Sequence, residues 1–444
     1  MKRFLMITAL LMAFLVSCKQ KASDPVAEGN GTVSCSFEGT VDYDEFFTAQ
    51  RLRLDFVLAG DKDTEYAFLE GLACESEWAG SPDGLIDPFG YGEYYFEAFS
   101  GEQLIFSKGF CSLFQEWSTT AQASEMPMAM SQTMWMPFPK GVINVKLYHR
   151  NKADGRFAEF YSCTVDPDDK LIRRQKENDF KVVPLMVNGD RAHKVDLLFV
   201  AEGYTAGQMA KFRADAQRFT DYMFTFEPYS HRKDDFNIWL LESTSENDGV
   251  DIPQDDKWVG TVCESNFYTF YIDRYLTISN HKKIASAVSG APFDALFIIA
   301  NESKYGGGGI YNSYALGTSD NKRSNEVFIH EFGHSFAGLG DEYYDSEVAY
   351  EDYYPAGIEP WEPNITTLVN FDAKWAEMVD EGVPVPTPAS EEYAGVVGVY
   401  EGAGYMTYGC YRPFIQCRML NNTAPGFCPV CQRAIEQMID FYIK

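Results

Sequence analysis

The chain has 444 residues, and its content of 45% hydrophobic and 15% aromatic residues excludes an intrinsically disordered protein. This length is sufficient for two or three domains, each with its own core. Acidic residues number 65 against 37 basic ones, and the formal charge of −28 argues against nucleic acid or an anionic membrane surface as the partner, because phosphate binding needs clustered Lys and Arg.

Residues 1–18 have the pattern of an export signal: Lys2 and Arg3 precede an apolar run over residues 4–16. This run is shorter than the roughly 20 residues of a membrane-spanning helix. Residues 15–18 resemble a bacterial lipobox, which implies that Cys18 becomes the lipid-carrying first residue of the mature protein. The alternative is a plain secretory signal with an incidental cysteine. We therefore expect an exported protein that is lipid-anchored to the cell envelope, at the outer membrane, through a flexible tether over residues 19–32.

Residues 33–165 carry the pattern of an antiparallel β-sandwich domain. Residues 51–58 and 142–148 alternate between polar and apolar side chains, and turn signals at residues 100–101 and 152–155 predict hairpins. Met126, Met128, Met130, Met134 and Met136 form a methionine-rich stretch, for which filling of a core or an interface is favoured over a binding loop.

A charged segment over residues 166–178 lacks an apolar period and predicts the linker between two domains. Residues 179–444 then change to an α/β pattern, so the expected fold class is α+β with two domains. Predicted strands cover residues 195–201, 236–241 and 293–300, and predicted helices cover residues 206–226 and 429–442.

A glycine-rich segment over residues 305–311 precedes the most informative stretch of the chain. It lacks the Gly-Lys-Ser/Thr ending of a phosphate-binding loop. Two interpretations stay open: an edge strand whose glycines let a peptide backbone approach closely, and the flexible tip of a hairpin.

The stretch over residues 327–343 contains His330-Glu331-Phe332-Gly333-His334. Residues four apart lie on one face of a helix, so His330 and His334 can bind one zinc ion, while Glu331 can take a proton from a water molecule. The alternative is a pair of packed histidines, but the chain has only six histidines in 444 residues. Gly338 and Gly340 can end the helix and return Asp341 or Glu342 to the metal as its third ligand.

This arrangement resembles the metzincin clan of zinc peptidases, although Ala337 and Gly340 replace the glycine and the third ligand of the clan pattern. The whole stretch, with Asp341 and Glu342, is similar to the bacterial IgA-peptidase family of zinc metallopeptidases. The resemblance implies a metzincin-like catalytic domain preceded by an N-terminal domain, with Asp341 as the third zinc ligand and Glu342 as its alternative. In gluzincins the third ligand is a later Glu, for which Glu347 or Glu351 would serve.

The end of the chain strengthens the resemblance. Residues 411–413 and 417–419 match the family's Tyr-Arg-Pro and Cys-x-Met, and Met419 is the predicted residue of the methionine turn beneath the zinc, with Met406 as its rival. Tyr343, Tyr411 and Arg412 are candidates for contacts to an oxyanion or the substrate, by position alone. Residues 345–388, which are acidic and rich in proline, predict a wall of the substrate cleft.

Nine cysteines remain besides Cys18, and an odd number leaves at least one thiol free. Cys428 and Cys431 are three residues apart, a spacing that occurs in redox pairs and in zinc pairs. Because no second pair accompanies them and they open a helix, the sequence favours a structural role for these two cysteines.

The sequence thus predicts an exported Zn²⁺-dependent endopeptidase that hydrolyses proteins or glycoproteins, with zinc on His330, His334 and Asp341 and with Glu331 as the general base. A capture lipoprotein that binds glycoproteins and carries a structural or relict zinc site is the alternative. Retention of Glu331 argues against it, because a purely structural site has no use for a base.

Overall fold

The computed structural model describes residues 39–344, 354–355 and 357–444. The export signal with Cys18, the tether, and the alternative ligands Glu347 and Glu351 lie outside the described residues. Within the described ranges, none of the helices combines the length and the apolarity that crossing a bilayer requires.

The N-terminal part forms two antiparallel sheets. One sheet has the strand order β2-β1-β5 and the other has the order β4-β3-β6-β7. The predicted turns at residues 100–101 and 152–155 join β3 to β4 and β6 to β7, and both predicted hairpins are confirmed. The elements are β1 (Phe47–Gly60), β2 (Glu65–Glu75), β3 (Tyr94–Ser100), β4 (Gln103–Phe110), β5 (Met128–Pro139), β6 (Ile143–Arg150) and β7 (Phe157–Val165), with helices α1 (Tyr43–Phe46) and α2 (Leu113–Ser118).

Alternate residues of β1 fill the core between these sheets, because successive side chains of a strand point to opposite faces. Leu54 and Phe56 are almost fully buried, and the Phe56 ring meets Tyr161 of the other sheet at a centroid distance of 5.8 Å. The methionine-rich stretch runs along β5, where Met130, Met134 and Met136 are buried. Core filling by these methionines is therefore confirmed.

The polar face of β1 is also buried, which the alternation of polar and apolar residues along 51–58 does not by itself indicate. Arg51 pairs with Glu75 at 2.5 Å and donates to the carbonyl oxygens of Val288 and Ala291 in the C-terminal part. Arg53 on the same face is paired with Asp55 and Glu75. Both guanidinium groups can be buried because each has acidic partners. The sheet thus packs against the C-terminal part through buried ion pairs as well as apolar side chains.

The predicted linker, residues 166–178, runs along the edge of β2. The amide of Arg173 donates to Leu72, and the Arg173 carbonyl accepts from Cys74. Ile172 is buried in the same core, so this segment is packed over part of its length.

A six-stranded mixed sheet, ordered β12-β13-β11-β9-β10-β8, organises the C-terminal part. The inner strands β13, β11, β9 and β10 are parallel, whereas the two terminal strands are antiparallel to their neighbours. The elements are β8 (Lys181–Met186), β9 (Val195–Glu202), α3 (Met209–Met223), β10 (Phe236–Glu242), α4 (His281–Val288), β11 (Ala295–Ala300), β12 (Gly307–Ile310), β13 (Tyr314–Thr318) and α5 (Ser324–Ala337).

Helix α5 packs on this sheet through aromatic rings. Phe328 lies edge-on against Phe297 of β11 at 4.7 Å and stacks on Phe219 of α3 at 5.0 Å. The helix ends at Gly338, whose left-handed φ of 63° lets the chain reverse. Helix α3 is shorter than the predicted helix over residues 206–226, because its start is a single 3-10 turn and its last turn ends at Met223.

The chain ends with a hairpin and a helix: β14 (Tyr400–Ala403), β15 (Met406–Arg412) and α6 (Pro429–Tyr442). The predicted helix over residues 429–442 is confirmed in both bounds. Short 3-10 helices cover Ala121–Ser124, Arg191–His193, Ala206–Gln208, Lys233–Asp235, Pro253–Asp255, Thr269–Tyr271, Phe371–Ala373, Ala376–Met378 and Glu391–Tyr393.

Candidate metal centre

His330 and His334 lie one turn apart on α5 and direct their rings to the same point. Their Nε2 atoms are 3.2 Å apart, and their ring planes are nearly perpendicular. The backbone sets this orientation, because the Arg418 carbonyl lies 3.1 Å from Nδ1 of His330 and the Leu339 carbonyl lies 2.5 Å from Nδ1 of His334. With Nδ1 engaged in this way, each Nε2 is available to a metal.

Asp341 completes a triangle with the two histidines. Its Oδ1 lies 3.1 Å from His330 Nε2 and 3.2 Å from His334 Nε2. Ligand atoms about 2.0 to 2.1 Å from a tetrahedral zinc are about 3.3 Å from one another, close to this triangle. Apart from these two imidazole nitrogens, the buried Asp341 Oδ1 has no partner among the described residues, so the donor set fits a cation.

Two tyrosines bond to the Asp341 carboxylate. Tyr405 donates to Oδ2 at 2.5 Å, and the Tyr343 hydroxyl also bonds to this carboxylate. Burial opposes charge on Asp341, but His334 and His330 outweigh it and hold its pKa well below the usual range. Burial likewise opposes charge on His334, yet Asp341 raises its pKa to about 9. A negative Asp341 and a positive His334 therefore stabilise each other in this buried site.

Glu331 projects from α5 into the same cleft without joining the triangle. Burial raises the pKa of its carboxyl, although the adjacent histidines partly offset this effect. Arg274 and Tyr305 interact with Glu331 and line the cleft beside it. The carboxylate is thus placed next to the candidate metal ligands and to potential hydrogen-bond donors.

Met419 packs directly beneath α5. Its sulfur would lie 3.1 Å from a Cβ added to Gly333, the residue that directly precedes His334. Met419 belongs to a turn in which the Leu420 amide donates to the Cys417 carbonyl, and the preceding residue, Arg418, orients His330. The rival Met406 opens β15 and packs against Ile365 and Tyr354 in a separate cluster.

Glycines bring β12 against the other side of α5. A Cβ on Gly309 would lie 2.3 Å from the Glu331 carbonyl oxygen, and a Cβ on Gly307 would lie 2.7 Å from Val327. These distances explain why the segment is glycine-rich, since a side chain would force the strand away from the helix. β12 is the terminal strand of its sheet, and Tyr275 bridges it at Gly307. Packing on both sides favours the edge-strand interpretation over a flexible hairpin tip.

Three of the predicted site residues lie elsewhere. Glu342 points away from the histidines and accepts from Asn364 at 3.0 Å and from the Cys431 thiol at 3.3 Å. Arg412 donates to the carbonyl oxygens of Glu401 and Gly402, which fixes its guanidinium on the hairpin. Tyr411 pairs through its backbone with Thr366. None of the three lines the described part of the cleft, so Tyr411 and Arg412 are not among its contacts.

Sequence reasoning missed Arg274, Tyr305 and Tyr405. Arg274 lies in a loop 56 residues before His330. No motif around Arg274 indicates that this residue lines the cleft beside Glu331. For Tyr405 the sequence shows only the preceding Gly404, which is typical of a turn, and the structure places Tyr405 in a turn before β15 with a φ of 67°. That turn pairs with the ligand segment: the amides of Gly404 and Tyr405 donate to the carbonyls of Asp341 and Tyr343.

Two family models match the chain. The model described as "IgA Peptidase M64" matches residues 183–394 and 389–439, which include the three candidate ligands and Glu331. The model described as "Peptidase M64 N-terminus" matches residues 42–161, the part that forms the first two sheets. A comparison with curated proteins finds no significant match.

Proposed function

The chain belongs to the IgA peptidase M64 family, and from this premise we propose that it is an exported zinc-dependent endopeptidase acting on proteins or glycoproteins. The observation that carries the proposal is the triangle of His330, His334 and Asp341 with Glu331 beside it. A purely structural metal site is usually closed, whereas this one opens into a cleft, as a catalytic site must.

In this proposal His330, His334 and Asp341 hold the zinc, and Glu331 is the general base. Zinc bound there supplies a Lewis acid that polarises a carbonyl and lowers the pKa of water. The Glu331 carboxylate takes the proton from the attacking water and later delivers it to the amine that leaves. A group with a raised pKa is suited to this cycle, because it must release the proton as well as accept it.

Side chains around the ligands would orient the scissile peptide. Arg274 and Tyr305 line the cleft and carry donors that can stabilise negative charge on a carbonyl oxygen. Tyr343 also lines the cleft, but its hydroxyl is bonded to Asp341. The close packing of β12 on α5 supports binding of an extended substrate backbone along this side of the cleft.

Cleavage of a mixed peptide library is the direct test of the proposed function. Zinc-loaded protein should cleave internal bonds, and removal of the metal by a chelator followed by addition of zinc should abolish and then restore cleavage. If the loaded protein cleaves neither the library nor a panel of glycoproteins yet binds members of that panel, the capture-lipoprotein function replaces this proposal.

We also propose that the protein is lipid-anchored to the cell envelope, at the outer membrane, through Cys18. The support is the lipobox-like sequence over residues 15–18. Replacing Cys18 by Ser should abolish lipid attachment and block signal cleavage by the lipoprotein route. Metabolic labelling with a fatty acid and membrane fractionation measure this effect, and unchanged membrane association in the variant would contradict the anchor.

The finer architecture is part of the same proposal: a β-sandwich followed by a metzincin-like peptidase domain. Contact between Phe56 and Tyr161 across the two N-terminal sheets supports the sandwich. Met419 beneath α5 and the terminal position of β12 support the likeness to metzincins. An experimental structure with bound zinc and a peptide inhibitor tests both parts.

A further inference from the structure

A second group of potential metal ligands lies close to the candidate metal centre. Glu342, Cys417, Cys428 and Cys431 each offer one ligand atom, and these atoms all lie within 4.8 Å of one another. All four residues are buried, with exposed fractions of 0 to 2%. None of the four is among the described residues that line the cleft.

The distances fit ligands around one ion better than a disulfide. The Sγ atoms of Cys417 and Cys431 are 3.7 Å apart. A disulfide requires about 2.0 Å, whereas two thiolates about 2.3 Å from a tetrahedral zinc are about 3.8 Å apart. Every cysteine within the described ranges is a free thiol. The fold thus brings a third cysteine, Cys417, to the pair Cys428 and Cys431.

Glu342 gives an independent indication of a cation. Its Oε2 atom is buried and has no hydrogen-bond partner in the part of the chain that the structure describes. Its Oε1 lies 3.3 Å from the Cys431 sulfur and is held at 3.0 Å by Asn364. The Asn364 amide is itself fixed by both backbone groups of Gly340. The Arg412 guanidinium interacts electrostatically with Glu342, but among the described residues it forms no hydrogen bond or ion pair with this carboxylate. The buried oxygen therefore lacks a bonded positive partner, which a metal would supply.

The backbone around the sulfurs is arranged as at a thiolate site. The Cys428 amide points at the Cys417 sulfur at 3.4 Å, and the Cys431 amide points at the Cys428 sulfur at 3.5 Å. Cys428 is also the N-cap of the 14-residue helix α6, whose N-terminus favours negative charge. Both features stabilise thiolates, the form in which cysteine binds metals.

From these observations we propose that Glu342, Cys417, Cys428 and Cys431 form a second, structural site for a soft divalent cation such as Zn²⁺. Four protein ligands and full burial leave no open position for a substrate, as is typical of structural zinc. The ion joins three separate segments of the chain: the exit of α5, the turn that contains Met419, and the start of α6.

This second ion would also position the candidate catalytic ligands. Glu342 directly follows Asp341, and Cys417 directly precedes Arg418, whose carbonyl orients His330. The Glu342 amide donates to the Met419 carbonyl and ties the two segments together. Loss of the second ion should therefore weaken metal binding at the histidines as well as the fold.

Metal content of purified full-length mature protein tests the proposal. We expect about two zinc ions per chain in the wild type and about one after His330→Ala and His334→Ala are combined. Cys428→Ser should lose the second ion, while Ser retains a good N-cap for α6. Cys410→Ser is the matched control, because Cys410 is equally buried but outside the cluster, and its zinc content should equal that of the wild type.

X-ray absorption at the zinc edge keeps the test valid if Cys428→Ser fails to fold. In the combined histidine variant the remaining zinc should have about three sulfur ligands at about 2.3 Å. Zinc without sulfur ligands, a wild-type content of about one ion, a Cys428–Cys431 disulfide in folded protein, or undiminished zinc in folded Cys428→Ser would each overturn the proposal. None of these readouts depends on peptidase activity.

Discussion

Replacing Glu331 by Gln should lower peptide hydrolysis by about 10²- to 10⁴-fold, the range expected for loss of a general base. Glutamine has nearly the same size as glutamate but cannot accept the proton from water. Because Glu331 stands outside the triangle of ligand atoms, the zinc content and the melting temperature should stay close to those of the wild type.

The matched control for this change is Glu326→Gln on the same helix, since Glu326 does not line the described cleft. It should leave hydrolysis unchanged. The measurement is kcat/KM on a peptide found in the library, together with metal analysis of both variants. A Glu331→Gln enzyme as active as the wild type would show that another group takes the proton.

Removing the carboxylate of Asp341 should lower peptide hydrolysis as strongly as Glu331→Gln does, because the protein should no longer retain its zinc. Asp341→Ala deletes one corner of the triangle and leaves the two histidines as ligands, so the site should lose its zinc and the enzyme its activity. Glu342→Ala keeps all three ligands of that triangle and can act on them only indirectly, through the proposed second site, so it should affect activity less. Titration of hydrolysis against free zinc measures the affinity of the catalytic site in each variant.

Tyr405→Phe separates ligation from orientation at the same carboxylate. It removes the hydrogen bond to Oδ2 and leaves Oδ1 in place. Loss of such a supporting contact typically costs about 10- to 100-fold in metal affinity or activity, less than loss of the ligand itself.

Full activity of Asp341→Ala at ordinary zinc concentrations would contradict its assignment as the third ligand, and Glu347 and Glu351 would be the next candidates.

The sequence predicted well what depends on local periodicity. The spacing of His330 and His334 follows from the helix period, and the glycine after α5 indicates where the chain reverses. Asp341 and Glu342 are adjacent, and neighbours in an extended segment point to opposite sides. The surrounding elements determine whether the Asp341 or the Glu342 side chain points to the histidines, so the sequence alone left that choice open.

Contacts between distant segments were beyond the sequence. Tyr411 and Arg412 matched the family by position, but the Arg412 guanidinium binds carbonyl oxygens of its own hairpin, β14 and β15, and neither residue lines the described cleft. The cysteine pair at the start of α6 was interpreted without Cys417 or Glu342, because the spacing of the pair does not indicate which other residues the fold brings to it. The alternation along β1 revealed two faces but not that the second face is buried under α4.

The glycine run from Gly306 to Gly309 has a consequence for selectivity. A Cβ at any of these four positions would lie within 2.9 Å of another atom, so this wall of the cleft has no room for side chains. Such a wall offers only amides and carbonyls, which discriminate main-chain shape but not residue identity. Preference for particular amino acids would then reside in the side chains that line the rest of the cleft, such as Glu116, Tyr275 and Asn421. Changes in selectivity are therefore expected to require changes at those side chains, because Gly307 and Gly309 lie too close to α5 to carry a side chain of their own.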